Sequence, residues 1–179
     1  PIVAFGKNSS EPHYNPNSAS KNYPLEKNSI ILLDFGTKIN GYCSDMTRVT
    51  FFGKPPEKIK KAYQIVLNAQ TTAIELLQKG GRNGAKLDIS ARRIIKNSGF
   101  PTYPHSLGHN LGLDIHETPR LTFKKNTVLK SNMVFSVEPG IYLSGEFGIR
   151  IEDTVLINSK GQIEILTRSP KNLLLNKYN

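Results

Sequence analysis

The sequence is poor in cysteine and in long apolar runs, and each scarcity excludes a class of protein. A single cysteine, Cys43, among 179 residues excludes an internal disulfide and a zinc site built from several cysteines. This usage is compatible with a reducing cytoplasm, where we expect the protein to act. No run of about seventeen consecutive apolar residues occurs, so no segment is long enough to span a bilayer as a helix.

Acidic residues are also scarce, since 14 Asp and Glu face 24 Lys and Arg, for a formal net charge of +10. Taken alone, this excess indicates a polyanionic partner such as a nucleic acid. The lysines are scattered along the chain, however, and neither zinc-finger spacing nor an aromatic RNA-binding strand occurs. We therefore expect neither a nucleic acid nor a membrane as partner.

Hydrophobic periodicity predicts strands first, then two helices, then strands again. The clearest helical spacing covers residues 57–79 and ends at Gly80 and Gly81, and a shorter helix is predicted from a cap at Asp88 to Gly99. Strands are predicted within residues 30–34, 39–52, 132–143, 148–157 and 162–167. Because strands and helices do not alternate regularly, the pattern indicates an α+β domain with a mainly antiparallel sheet.

The beginning of the chain lacks an initiator methionine. Residues 2–6 after Pro1 are typical of a strand that continues from elsewhere, so we expect the chain to be an excised fragment. Residues 7–29 are rich in Asn, Ser and Pro without apolar period, which predicts an extended loop containing His13 and Tyr14.

Two aspartates are the first candidates for chemistry. Asp34 follows four large aliphatic residues, so its carboxylate would be drawn toward the core and would need a cation nearby. Asp45 follows on or near the next strand, and the intervening Gly36 and Gly41 are compatible with a reversal that brings the carboxylates together. Adjacent carboxylates repel, which indicates a shared proton or a metal. Taken singly, each aspartate is more often a turn or capping residue.

Three of the four histidines fall within twelve residues, namely His105, His109 and His116. Gly108 and Gly112 indicate a loop or irregular strand there, and the glutamate of a helical HExxH zinc motif is missing. A lone histidine is more often structural, but three histidines beside paired carboxylates favour a functional site.

The last predicted strands add two glutamates and an arginine. Glu138 ends an apolar strand immediately before Pro139. A period of two places Arg150 and Glu152 on one face of their strand, where a simple ion pair on a solvated strand is the alternative to a functional role.

Together these residues supply four carboxylates and one imidazole, from Asp34, Asp45, His109, Glu138 and Glu152. Four carboxylates carry a charge that two divalent cations balance, and Asp or Glu can bridge two ions. The set therefore predicts a dinuclear hydrolase site. Oxygen-rich ligation with one histidine favours Mn²⁺, and the ligand types leave Co²⁺, Fe²⁺ and Zn²⁺ open.

The motifs around these residues resemble the pita-bread metallopeptidases, the family of aminopeptidase P, prolidase, methionine aminopeptidase and creatinase. The motifs are residues 33–36 (LDFG), 44–48 (SDMTR), 108–117 (GHNLGLDIHE), 137–140 (VEPG) and 148–153 (GIRIED). The resemblance implies a curved, mainly antiparallel sheet covered by helices. It also implies that residues 1–179 form one catalytic domain, N-terminally truncated, without the family's first elements and N-terminal domain.

The resemblance further implies a role for each candidate. Asp34 binds one metal ion, Asp45 and Glu152 bridge both ions, and His109 and Glu138 complete the second, with Glu138 also moving a proton. The remaining implied roles are stabilisation of the tetrahedral intermediate by His116, lining of the substrate pocket and proton movement by His13 and His105, and orientation of carboxylates or substrate by Arg150.

Within the family the motifs are most similar to Xaa-Pro peptidases. We expect a metallo-aminopeptidase of the aminopeptidase P type, which hydrolyses the X-Pro bond and takes a peptide with proline at its second position. A prolidase acting on dipeptides stays open, as does a homo-oligomer of the full-length protein. A non-catalytic pita-bread module that binds peptides or proteins is a further alternative, but such modules tend to lose the metal ligands.

Overall fold

The structure is a computed structural model that describes residues 1–15 and 24–173. Its helices are α1 (Glu57–Gln78), α2 (Gly84–Asn97) and a short 3-10 helix (Gly6–Ser10). Its strands are β1 (Ile2–Phe5), β2 (Ser29–Phe35), β3 (Lys38–Ile39), β4 (Tyr42–Cys43), β5 (Met46–Phe52), β6 (Gly108–Asn110), β7 (Glu117–Leu121), β8 (Val134–Val137), β9 (Gly140–Leu143), β10 (Phe147–Arg150), β11 (Asp153–Ile157) and β12 (Ile163–Ile165). Strand pairing within these ranges is antiparallel, so the predicted α+β class is confirmed.

The first sheet has the strand order β1-β2-β5 and explains where Asp34 lies. Its central strand β2 carries the aliphatic run that the sequence shows, and Ile30, Ile31 and Leu32 are buried. The register pairs Asp34 with Thr47 of β5. The strand β2 therefore places Asp34 at the edge of the core, opposite Thr47 on the neighbouring strand.

The largest sheet has the order β12-β11-β8-β6-β7 and brings two glutamates together. Its register pairs Val137 at the end of β8 with Asp153 at the start of β11. In an antiparallel pair, the residue that follows one strand lies beside the residue that precedes the other. Glu138 and Glu152 are consequently neighbours, although fourteen positions separate them in the sequence.

The helices cover the sheets. One face of α1 is fully buried at Ala62, Val66, Ala69, Ala73 and Leu77, which follows the three-to-four spacing of an amphipathic helix. This face packs on α2 and on β8, β9 and β10. Burial of each large aliphatic side chain in this core stabilises the fold by about 1.5 to 3 kcal/mol. None of the described helices combines the length and apolar character that a membrane crossing needs.

The structure corrects the predicted start of the second helix. Asn83 is the N-cap of α2, where its side chain accepts a hydrogen bond from the Lys86 amide at 3.1 Å. Asp88 lies inside the helix and is fully buried, bonded to Arg92 and to the Tyr103 hydroxyl. The prediction failed because Asn and Asp are both good caps, and the tertiary contacts of Asp88 are invisible in the sequence.

The predicted strand 148–157 is also wrong in one respect, because it is interrupted. Ile151 and Glu152 lie between β10 and β11, and both are buried. The chain passes from one sheet to another at this point, so the alternation of exposed and buried residues that a solvated strand would show is absent here. Residues 7–10 of the predicted loop form part of the 3-10 helix, and residues 16–23 of that loop lie outside the described residues.

Gly108 offers a test of the packing between β6 and β8. A Cβ atom at this position would lie 1.8 Å from the Ser136 carbonyl oxygen, so Gly108→Ala must push the strands apart and displace His109. We expect a loss of about 1 to 3 kcal/mol in the free energy of unfolding by urea denaturation. The control is Gly84→Ala, where a Cβ meets its nearest atom at an ordinary 3.4 Å. Equal stability of the two variants would contradict the packing argument.

Candidate metal centre

The site residues predicted from the sequence all line a single cavity of about 500 Å³. We call this space the site cavity, and its predicted lining residues are His13, Asp34, Asp45, His105, His109, His116, Glu138, Arg150 and Glu152. They come from the loop before β2, the end of β2, the turn between β4 and β5, the strand β6 and the segments around it, the residue after β8, and the junction between β10 and β11. The fold therefore gathers residues that lie up to 139 positions apart in the sequence.

Three of these residues form a cluster with the spacing of a metal site. Asp45, His109 and Glu152 each offer one ligand atom, and these atoms lie within 4.8 Å of one another. The His109 Nε2 atom lies 3.7 Å from Asp45 Oδ2 and 3.3 Å from Glu138 Oε1. Asp34 lines the same cavity and comes from the sheet of β1, β2 and β5. Asp45, Glu138 and Glu152 thus lie around one imidazole nitrogen, and Asp34 lines the same cavity.

The orientation of His109 suits metal ligation. Its Nδ1 atom lies 3.1 Å from the Asn110 carbonyl oxygen, which can only accept a hydrogen bond. The Nδ1 atom therefore carries the proton, and the Nε2 lone pair faces the carboxylates. Burial lowers the pKa of His109 to about 4, so the ring is neutral near pH 7.

Only one of the two carboxylate oxygens of Glu152 has a hydrogen-bond partner within the described residues. The Thr47 hydroxyl donates to Glu152 Oε2 at 2.7 Å. The other oxygen, Oε1, is buried and has no hydrogen-bond partner within the described residues. A buried carboxylate oxygen without a donor is costly unless a cation meets it. The donor set and this oxygen fit a divalent metal ion.

The carboxylates raise one another's pKa values. Burial, followed by the charge of Asp34, raises the pKa of Asp45 to about 6. Burial raises the pKa of Glu138 to about 8, although Arg150 opposes the shift. Burial and the neighbouring charges of Glu138 and Asp45 raise the pKa of Glu152 well above its ordinary value. Such perturbed groups cluster at functional sites, and cations in the cavity would relieve the repulsion.

Arg150 is the buried cation among the described residues that line the cavity, whereas Lys38 and Arg120 are exposed. The Arg150 side chain is 3% exposed and forms an ion pair with Asp34, not with Glu152. It also donates to the Thr47 hydroxyl at 3.1 Å and to the Tyr142 hydroxyl at 2.8 Å. The same-face ion pair on a solvated strand, which the sequence left open, is absent from the described contacts of Arg150.

The other histidines occupy two different environments. His105 is half-buried; its Nδ1 atom lies 2.8 Å from the Ser106 carbonyl oxygen, and its Nε2 atom lies 3.0 Å from the Tyr142 hydroxyl. Burial lowers the pKa of His105 to about 3. His116 is exposed, and its ring lies edge-on to the His109 ring at 4.5 Å between centroids. His13 is exposed at the mouth of the cavity.

Comparison with known proteins places this arrangement in a family. The family model of metallopeptidase family M24 matches residues 1–159. The Xaa-Pro dipeptidase of Pyrococcus furiosus is 43% identical over 174 residues, which are 97% of this chain and 48% of that relative. The chain belongs to metallopeptidase family M24. It spans about half the length of the relatives it matches.

Solved structures show the same M24 fold. Prolidase from Thermococcus sibiricus superposes with a TM-score of 0.87 at 40% identity, over 97% of this chain and 46% of that chain. X-Pro aminopeptidase from Thermotoga maritima superposes with a TM-score of 0.88 at 40% identity, over 97% of this chain and 48% of that chain. The expected pita-bread fold is thereby confirmed.

The sequence reasoning missed several residues that support this M24 site. Thr47 and Ser136 donate hydrogen bonds to Glu152 and Glu138 at 2.7 and 3.0 Å, and Tyr142 joins Arg150 to His105. Arg120 lines the cavity as well. Thr47 does share the motif of residues 44–48 with Asp45, but a buried hydroxyl carries no signal of its own in the sequence.

The raised carboxylate pKa values predict how the stability of the metal-free protein depends on pH. Between about pH 6.5 and 8 the folded state keeps a proton on Glu138 that the unfolded state has lost, so stability falls as pH rises. The buried histidines, whose pKa values are lowered, oppose this fall slightly near pH 6.5, where their unfolded forms still carry part of a proton, and they are neutral in both states above about pH 7.5. We expect a loss of about 1 to 2 kcal/mol, measured by urea unfolding with chelator present.

The variant Glu138→Gln and added Mn²⁺ are the two controls for this pH effect. The glutamine cannot titrate, and bound metal favours the ionised carboxylate. Each should therefore reduce the fall in stability between pH 6.5 and 8. A metal-free parent whose stability rises over this range would show that the carboxylates are ionised at little cost.

Proposed function

We propose that residues 1–179 are a catalytic domain of a dinuclear metallopeptidase that hydrolyses the X-Pro bond and releases the residue before proline. One observation carries the proposal: the five expected ligands, three further histidines and Arg150 line one cavity. Membership of family M24 supports peptide hydrolysis, and the similarity to an Xaa-Pro dipeptidase, a prolidase and an X-Pro aminopeptidase supports proline specificity.

We assign the ligands to two ions as the resemblance to the pita-bread metallopeptidases implies. Asp34 would hold one ion, His109 and Glu138 the other, and Asp45 and Glu152 both. The oxygen-rich set favours Mn²⁺. When bound, two divalent cations supply Lewis acidity, which lowers the pKa of water and polarises a peptide carbonyl.

The side chains of the chain itself would handle the protons. The Glu138 carboxylate would accept a proton from the attacking water and deliver it to the leaving proline nitrogen. His116, exposed at the edge of the cavity, would donate a hydrogen bond to the carbonyl oxygen as charge develops there. His13 would face the substrate at the mouth, and His105, held by Tyr142, would line the wall.

Arg150 would fix the geometry of this centre. Its guanidinium binds Asp34 and the hydroxyls of Thr47 and Tyr142, so it links one proposed ligand and Thr47, which share the first sheet, to the sheet of β9 and β10. Charge-assisted hydrogen bonds of this kind orient carboxylates strongly. We infer that Arg150 keeps the Asp34 carboxylate aimed into the cavity.

Two substrate classes compete within this proposal. An aminopeptidase P acts on longer peptides, and a prolidase acts on dipeptides. The relatives named as an Xaa-Pro dipeptidase and a prolidase favour the dipeptide, whereas the X-Pro aminopeptidase favours the longer peptide. The complete ligand set argues against a third candidate, a binding module without activity.

The test is an assay with Mn²⁺ on an Xaa-Pro dipeptide and an Xaa-Pro-Xaa tripeptide, side by side. We expect hydrolysis of the bond before proline in at least one of them, and the ratio of kcat/KM values identifies the class. A protein that binds Mn²⁺ but cleaves neither peptide would overturn the X-Pro assignment.

The variants Asp45→Ala and His109→Ala test the ligand assignment. Each removes one ligand, so we expect loss of bound metal, measured by emission spectroscopy after dialysis, and a fall in activity of at least about 100-fold. The matched control is Glu75→Ala, which removes an exposed carboxylate from α1. Metal content and activity at the parent's level in both ligand variants would exclude this centre.

A further inference from the structure

Arg150 and Glu152 carry opposite charges and lie close in the sequence, yet the described contacts contain no ion pair between them. Both side chains are buried, at 3% and 1% exposure, and they lie two residues apart. A buried carboxylate normally takes the nearest guanidinium as its partner, because a bidentate ion pair offsets the cost of burial. Here the described ion pair of Arg150 is with Asp34, and Glu152 keeps an oxygen without a hydrogen-bond partner.

The hydroxyl of Thr47 lies between the two charged groups. The Arg150 Nε atom lies 3.1 Å from Thr47 Oγ1, and Thr47 Oγ1 lies 2.7 Å from Glu152 Oε2. A guanidinium can only donate, so the hydroxyl accepts from Arg150 and its proton is available for Glu152. The Thr47 hydroxyl thus forms hydrogen bonds with both Arg150 Nε and Glu152 Oε2.

The backbone holds this hydroxyl in place. Thr47 is fully buried in β5, and its carbonyl oxygen accepts from the Glu152 amide at 3.1 Å and from Arg48 at 2.9 Å. The strand register sets it beside Asp34, the ion-pair partner of Arg150. Thr47 therefore cannot leave its place without disturbing the contact between β5 and the junction that carries Glu152.

We propose that Thr47 is a positioning residue that keeps the Arg150 guanidinium off Glu152 and so leaves this carboxylate available to a metal ion. The inference rests on the metal centre of the proposed function. A guanidinium paired directly with Glu152 would neutralise the carboxylate and compete with a cation for the same oxygens. The neutral hydroxyl orients Glu152 Oε2 without supplying a competing charge.

The experiment measures Mn²⁺ binding to the protein by isothermal titration calorimetry, with Thr47→Val and Thr47→Ser compared to the parent. Valine has nearly the shape of threonine but lacks the hydroxyl, so we expect Mn²⁺ affinity to fall by about 10- to 100-fold. Serine keeps the hydroxyl, and we expect its affinity within about 3-fold of the parent's. Equal losses in the two variants, or none in Thr47→Val, would overturn the proposal.

The matched control is Thr50→Val on the same strand. The Thr50 hydroxyl bonds to the Leu173 carbonyl oxygen at 3.3 Å, away from the site cavity. The same chemical change there should leave Mn²⁺ affinity unaltered. A loss in Thr50→Val as large as that in Thr47→Val would show that any hydroxyl removed from β5 weakens metal binding, contrary to the proposal.

A double-mutant cycle with Arg150→Met separates positioning from general damage. If the lost hydroxyl acts by letting Arg150 reach Glu152, the effect of Thr47→Val on affinity must shrink when the guanidinium is absent. We expect the fold-loss in the Arg150→Met background to be at most a third of that in the parent. An undiminished loss would refute the role of Arg150.

Separate measurements distinguish an effect on metal affinity from a failure to fold and from an error in the proposed substrate. Circular dichroism establishes that each variant folds, and Thr47→Ala replaces Thr47→Val in the cycle if valine prevents folding. Because the readout is metal affinity, failure to cleave X-Pro peptides would count against the proposed substrate alone. A parent protein that binds no Mn²⁺ would overturn both the metal centre and the role of Thr47.

Discussion

Repulsion among four carboxylates in one buried cavity is the constraint on which the arrangement of this protein depends. Asp34, Asp45, Glu138 and Glu152 line one cavity although like charges repel, and burial raises the pKa of three of them. The chain has a net charge of +10, yet among the residues that the structure describes Arg150 is the one buried cation that lines this cavity. The excess of basic residues therefore does not neutralise the site, which is why the cavity suits ions from outside the chain.

The sheets must be fixed against this repulsion, and a second buried network lies behind the cavity. Arg48 binds Asp153 at 2.7 Å and the Glu152 carbonyl oxygen at 2.5 Å, while Gln70 of α1 donates to Asp153 at 2.8 Å. A buried ion pair is weak evidence for stability but can specify one arrangement. This network joins β5, β11 and α1 at one point. It fixes the position of Glu152 relative to Thr47.

The residues that line the cavity could be predicted from the sequence as candidate ligands, because a charged side chain at the end of an apolar strand is unusual. Asp34 and Glu138 end apolar strands where a charge has no local reason to be. Their supports have no such conflict: Thr47 and Tyr142 are ordinary strand residues, and only contacts between segments about 100 positions apart give Thr47 its role. The predicted helix cap at Asp88 is wrong for the same reason, because a capping aspartate and a buried ion-pair partner look alike in the sequence. Local patterns thus predict the candidate ligands, and tertiary contacts decide which residues hold them in place.

Each of the two glutamates in the cavity accepts a hydrogen bond from a neutral hydroxyl group. Ser136 accepts from the His109 amide at 3.1 Å and donates to Glu138 at 3.0 Å, as Thr47 accepts from Arg150 and donates to Glu152. A charged donor would bind a carboxylate more tightly than a hydroxyl does, but it would also cancel the charge that attracts a cation. Neutral donors fix one oxygen and leave the charge intact. In a cavity that must bind ions, the weaker hydrogen bond is therefore the more useful one.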